Sequence, residues 1–122
     1  MNWWAQELSG VGYRIYGEPE PPRLVFEGSL RLNGMAEYQP LTDWLGQIVA
    51  AAPPQMILDV RSLKFLNSSG INVLSRFVIQ VRQKGNIHLT VRCNEGIPWQ
   101  HKSLVNLQRL LPTLELDFYH ES

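Results

Sequence analysis

This chain has little of what marks a specialised chemistry. A single cysteine, Cys93, occurs among its 122 residues, so no internal disulfide can form and a cysteine-rich metal framework is excluded. There is no excess of charge, because eleven basic side chains balance eleven acidic ones. That leaves no positive field for nucleic acid and no polybasic cluster for an anionic membrane. The longest apolar run, Ile48 to Pro54, is far too short to span a bilayer. The opening residues Met1-Asn2-Trp3-Trp4-Ala5-Gln6-Glu7 have neither the basic n-region nor the apolar stretch of a secretory leader. No G-x-G-x-x-G opens a helix after a strand and no G-x-x-x-x-G-K-S/T is present, so the phosphate-cradling fingerprints of nucleotide folds are missing. His88, His101 and His120 fall in different segments without ligand spacing, which indicates neither a zinc site nor a Cys–His nucleophile pair. The expectation is a cytoplasmic protein that is not an enzyme, carries no metal or cofactor, and has proteins or small molecules as partners rather than nucleic acid or membrane.

What is present is a core-forming composition, with 44% apolar and 18% charged residues, enough for one domain over residues 1–122. Val11 to Tyr16 and Arg23 to Leu32 alternate in polarity and read as two strands. The connector Gly17-Glu18-Pro19-Glu20-Pro21-Pro22 between them predicts an antiparallel hairpin. Leu41, Trp44, Leu45, Ile48, Val49 and Ala52 recur at helical spacing. Pro40 fits the first turn of that helix and Pro53-Pro54 stop it. Gln55 to Val60 is short and apolar, as expected of a central strand covered on both faces, with a loop following over Arg61 to Leu66. A helix from Ser68 buries Ile71, Leu74, Phe77, Val78 and Val81 and stops at Lys84-Gly85. Ile87 to Cys93 is a third buried strand, and its cysteine is read as a buried inert thiol. Pro98 opens a last helix, Pro112 closes it, and Thr113 to Phe118 makes an edge strand. This is an α/β chain with a mixed sheet, an N-terminal hairpin and alternating helices. Its core spans residues 11–118, and residues 1–10 form an extension in which Trp3 and Trp4 either cover the core or offer a binding platform.

The informative segment is Met56 to Phe77. A strand ends near Asp59, read as a turn or cap residue because no second carboxylate is placed beside it. A loop anchored by Leu63, Phe65 and Leu66 leads to Asn67, a good helix N-cap. Ser68 and Ser69 then occupy the first turn with Gly70 behind them. Two hydroxyls at a helix N-terminus lie where a phosphoryl group would meet free backbone N–H donors and the positive end of the helix dipole. Further along, Val73 and Ile79 fall off the inward stripe among Asn72, Ser75, Arg76 and Gln80. This mixed patch is where a partner could dock, with Arg76 offering a charge contact.

In this order the residues resemble the STAS family, named for sulfate transporters and anti-sigma factor antagonists. Its pattern is a strand ending in Asp, an apolar-x-apolar-apolar loop and D-S-S/T/A-G opening a helix. The match falls on Asp59, on Leu63-x-Phe65-Leu66 and on Asn67-Ser68-Ser69-Gly70. Glu27-Gly28-x-Leu30 resembles the family's E-G-x-L, and Pro40-Leu41 its helix start. The resemblance runs from about Tyr13 to Phe118 and implies a STAS-like fold. It also implies a bacterial-type regulatory switch in transcription control. Ser69, or less favourably Ser68, would be phosphorylated by an anti-sigma-factor-like serine kinase and dephosphorylated by a PP2C-type phosphatase. Asp59, Asn67 and Gly70 would support the motif, with Asn72, Val73, Arg76 and Ile79 as partner surface. Asn67 replaces the family's usual Asp and removes a negative charge beside the acceptor. A constitutive interaction or ligand-binding module that is not phosphorylated is the alternative reading, and the oligomeric state is left open.

Overall fold

In the computed structural model, which describes residues 2–120, six strands form one sheet in the order in which they occur in the chain. The strands β1 (Glu7–Gly10), β2 (Tyr13–Pro19) and β3 (Pro22–Leu30) pair antiparallel. The strands β4 (Gln55–Leu66), β5 (His88–Asn94) and β6 (Glu115–Tyr119) continue from β3 in parallel. A helix makes each parallel step: α2 (Gln39–Ala51), preceded by the short α1 (Gly34–Glu37), then α3 (Ser68–Lys84) and α4 (Pro98–Leu110). The mixed sheet, the hairpin across Pro19–Pro22 and the alternating helices agree with the α/β architecture expected from the sequence.

One topological fact shapes the molecule. Right-handed crossovers that always step toward the same edge place every helix on the same face of the sheet. The register agrees. Ile15 lies opposite Phe26, Leu24 opposite Leu58, Leu58 opposite Val91 and Met56 opposite Leu89, and all are buried in one core. The alternate row, Tyr16–Val25–Asp59–Arg92–Asp117, points the other way. The expectation that β4 is covered on both faces is therefore corrected. An apolar run by itself suggests two-sided burial, but Ile57 on the far face remains half-exposed.

Two further expectations change. Arg61 to Leu66 is not a loop but the second half of β4. Its pairing with β3 shifts register twice, at Val25/Glu27 and at Gly28/Ser29. Each shift inserts an extra residue into β4, which spaces the core-facing Val60, Leu63 and Leu66 three apart and erases the two-residue period of a strand. Phe65 is not an anchor: it is 37% exposed and the Arg31 guanidinium lies 4.3 Å from its ring centroid. The first ten residues, Met1 lying outside the described residues, are part of the fold rather than an extension from it. Trp3 is 4% exposed in the core, and its carbonyl accepts a hydrogen bond from Trp44 Nε1 at 2.7 Å, so core cover is what Trp3 provides. Residues 7–10 add β1 to the sheet edge; they are too short and too polar to announce a strand.

The glycine of the E-G-x-L resemblance has a clear physical role. Gly28 sits at φ +88°, and a Cβ there would run into the carbonyl oxygen of Gly12, the same oxygen that accepts the Ser29 amide at 2.8 Å. Gly28→Ala is expected to lower stability by roughly 2–4 kcal/mol, read as a lower urea midpoint with an unchanged slope. An unaltered midpoint would mean that the β2–β3 hairpin yields without cost. Cys93 is fully buried. Burial, reinforced by the charges of Asp117 and Asp59, pushes its thiol up to about 12, so at neutral pH it is protonated and inert.

Candidate functional site

The start of α3 is built around Asn67. Its backbone is extended, and its side-chain Oδ1 accepts from the Gly70 amide at 3.1 Å, the N-cap expected from the sequence. The side chain does more than cap. Oδ1 also accepts from the Tyr38 hydroxyl at 2.6 Å, while Nδ2 donates to the Leu32 carbonyl at 2.8 Å. Tyr38 is completely buried, and burial raises its pKa above the ordinary phenol value, so it stays a neutral donor. One amide thus ties together the end of β3, the α1–α2 junction and the first turn of α3. Sequence reasoning missed Tyr38 and Leu32, because pairing across 29 and 35 residues leaves no local signal.

Gly70 is fixed by the same arrangement. A Cβ there would overlap the Leu66 side chain and come within 2.8 Å of the Tyr38 hydroxyl oxygen, so glycine lets α3 lie close against both. Ser68 is exposed and Ser69 half-exposed. Oδ1 of Asn67 takes the Gly70 amide and the Asn67 carbonyl takes the Ile71 amide at 3.0 Å. The amides of Ser68 and Ser69 lie earlier in the turn, where helix geometry provides no intrahelical acceptor. From Ser69 a stripe of Asn72, Arg76 and Ile79 follows along the helix, all exposed, with Ile79 at 39%. Val73 does not belong to it and is corrected: it is 2% exposed and adjoins Thr42 and Leu45 of α2. Because α3 packs beside α2 as well as over the sheet, its buried arc is turned one position toward α2, taking in Val73 and leaving Ile71 at the margin. Arg31 follows the Leu30 carbonyl that accepts the Asn67 amide, and Lys64 precedes Asn67 by three residues. Both are exposed and add positive charge beside the start of α3, the Arg31 guanidinium lying over the Phe65 ring.

Asp59 is not brought to Ser69. It is buried on the helix-free side of the sheet. Its carboxylate accepts from Arg61 Nε at 2.9 Å, from Arg61 Nη2 at 2.7 Å and from the Arg61 amide at 3.2 Å, a local turn-and-pair role rather than an acid–base one. Gln100, which the sequence reading passed over, is another hidden fixture. Fully buried, it donates to the carbonyls of Val60 (2.6 Å) and Leu63 (3.0 Å) and accepts the Asn94 amide at 2.8 Å. It thereby clamps α4 and the end of β5 to the bulged part of β4 that leads to Asn67. Among the described residues no group of three His, Cys, Asp or Glu side chains lies close enough to hold a metal ion, and no helix is long and apolar enough to cross a membrane.

No family model and no curated protein matches the chain. Solved structures do. An anti-sigma factor antagonist from Mycobacterium paratuberculosis superposes with a TM-score of 0.64 at 18% identity, covering 88% of each chain. SiaC of Pseudomonas aeruginosa gives a TM-score of 0.69 at 16% identity, over 95% of this chain and 98% of SiaC. A chain in the complex of the diguanylate cyclase SiaD with its activator SiaC, from the same organism, gives 0.68 at 16% identity, over 95% of this chain and 99% of that one. At these identities the likeness is one of architecture: the chain has the STAS-type fold of an anti-sigma factor antagonist.

Proposed function

We propose that this protein is a bacterial-type, cytoplasmic regulatory interaction module, resembling an anti-sigma factor antagonist, whose hold on a partner is switched by phosphorylation of Ser69. An anti-sigma-factor-like serine kinase would add the phosphoryl group and a PP2C-type phosphatase would remove it, with Ser68 the secondary acceptor. The observation that carries this reading is the approachable Ser68-Ser69 pair at the N-terminus of α3, continuous with the exposed stripe Asn72, Arg76 and Ile79. A phosphoryl group there would add about −1.5 to −2 charges to a neutral stretch of helix. Nearby amides, the helix dipole and the cations of Arg31, Lys64 and Arg76 would meet that charge, altering what the stripe can bind. A regulatory role through a protein partner also suits the fold's occurrence in an anti-sigma factor antagonist and in SiaC, the activator of SiaD.

The test is incubation of the full chain with ATP and an anti-sigma-factor-like serine kinase from the same organism, followed by mass mapping. Phosphate on Ser69, absent from Ser69→Ala, is the expected result. Incorporation at neither Ser69 nor Ser68 would remove the switch. Asn67 favours a second reading, in which the fold is kept as a constitutive interaction module, since the charge usual in the STAS motif is gone. In that case partner capture would be indifferent to Ser69→Asp yet lost on Arg76→Glu or Ile79→Asp.

A further inference from the structure

The helix-free face of the sheet carries a cleft that the Ser69 reading does not use. Its volume is about 390 Å³, and Tyr16, Arg23, Glu27, Asp59, Arg61 and Arg92 line it. It lies where β4 takes its first extra residue against β3, between Asp59 and Ser62. A bulge re-aims side chains, and here Arg61 returns alongside Asp59, two residues back, in a bidentate pair.

The charges of this cleft do not cancel locally. The Asp59 carboxylate is fully engaged by Arg61, whose guanidinium also lies 4.5 Å from the Tyr119 ring centroid. Glu27 lies 3.8 Å from Arg14, which also holds Glu7 at 3.2 Å. Arg23 and Arg92 remain. Both are half-buried, and among the described residues neither has a carboxylate within ion-pair distance. Their direct cross-strand partners are Glu18 and Asp117, with which they form no ion pair, and the one hydrogen bond of the Arg23 side chain is a long one to the Pro21 carbonyl, at 3.4 Å. Register sets Arg92 beside Asp59 and Arg23 beside Ile57, two residues earlier on β4, so the two long side chains approach the same concavity from opposite sides. A guanidinium presents a planar fork of donors that matches the oxygens of a carboxylate or phosphate, and partial burial strengthens such a pairing. Tyr16 supplies a ring wall on one side.

We propose that this cleft binds a small oxyanion, a carboxylate or phosphate group carried by a soluble metabolite, held between Arg23 and Arg92. The site lies on the face opposite the helices and is independent of phosphorylation at Ser69.

The test is a titration of the full chain with inorganic phosphate and, separately, with citrate, at ionic strength held constant with chloride and followed by the arginine Nε–Hε NMR signals. Saturable movement of the Arg23 and Arg92 signals with either probe is expected, and the tighter probe tells whether phosphate or carboxylate is preferred. Arg92→Gln should weaken binding about tenfold or more, the loss of one charge-assisted contact, and Arg23→Gln similarly. Ser69→Ala should leave it unchanged. Responses that never saturate with either probe, or saturable binding that survives in both glutamine variants with their folded spectra intact, would overturn the proposal.

Discussion

Replacing Gln100 with leucine should lower the unfolding free energy by about 3 kcal/mol, as two buried backbone groups lose their only side-chain partner. Leucine is of comparable bulk and adds apolar surface, so a plain hydrophobic account would expect little harm. The hydrogen-bond account expects the reverse. The Leu63 carbonyl keeps a donor in Trp99 Nε1 at 3.0 Å, but the Val60 carbonyl loses its side-chain donor and the Asn94 amide its acceptor. Val60 falls at the first register shift and has no partner on β3, and the pairing of β4 with β5 ends at Asp59 and Arg92, so the sheet ladder does not replace these contacts. Urea denaturation checks this, and a loss under about 1 kcal/mol would show that water reaches these groups. Gln100→Glu sharpens the test. Ionised, the new carboxylate would face two carbonyl oxygens, so its folded-state pKa should lie above its unfolded value. The variant should then approach wild-type stability only below the unfolded pKa and lose stability as pH rises through the folded one.

The second large effect is expected at Asn67. Asn67→Ala removes the acceptor shared by the buried Tyr38 hydroxyl and the Gly70 amide, and the donor to the Leu32 carbonyl. The lost cap accounts for about 1 kcal/mol and the orphaned tyrosine hydroxyl for about 1–3 kcal/mol more. A total of about 2–4 kcal/mol, with faster hydrogen exchange in the first turn of α3, is the expected outcome. Tyr38→Phe removes one partner of the same bond, so the double variant should be less destabilised than the sum of the singles. Strict additivity would mean that the 2.6 Å bond contributes nothing. The comparison that bears on function is Asn67→Asp, the residue usual in the STAS motif. It keeps both acceptor roles but turns a carboxylate oxygen toward the Leu32 carbonyl where an N–H now donates. The amide is therefore a local requirement of this chain, set by how β3 ends, and its presence follows from packing as well as from any change in how the site is read.

Much of the site was legible because its signals are local. Asn67, the hydroxyls after it and the Gly85 cap (φ +85°) lie within one helix and its ends, where capping chemistry works over three or four residues. The helices and hairpin were legible because burial repeats at 3.6 or 2 residues. Reading failed where two periods overlapped or broke. The bulges disguised the second half of β4 as a loop. An ideal arc centred on the sheet alone leaves Val73 at the surface; the flanking α2 buries it. Strand β1 went unseen because four half-polar residues have no period.

The sequence by itself determined the order and type of the elements other than β1, α1 and the second half of β4, together with the first turn of α3, since each follows from local sterics and hydrogen bonding. Tertiary structure alone decided that all the helices share one side of the sheet, that Tyr38 and Leu32 meet Asn67, that Gln100 closes over the bulged strand, and that Arg23 and Arg92 face a common cleft. Those are contacts between residues far apart in the chain, whose closure depends on the packing of the whole core and leaves no trace in any short window of residues.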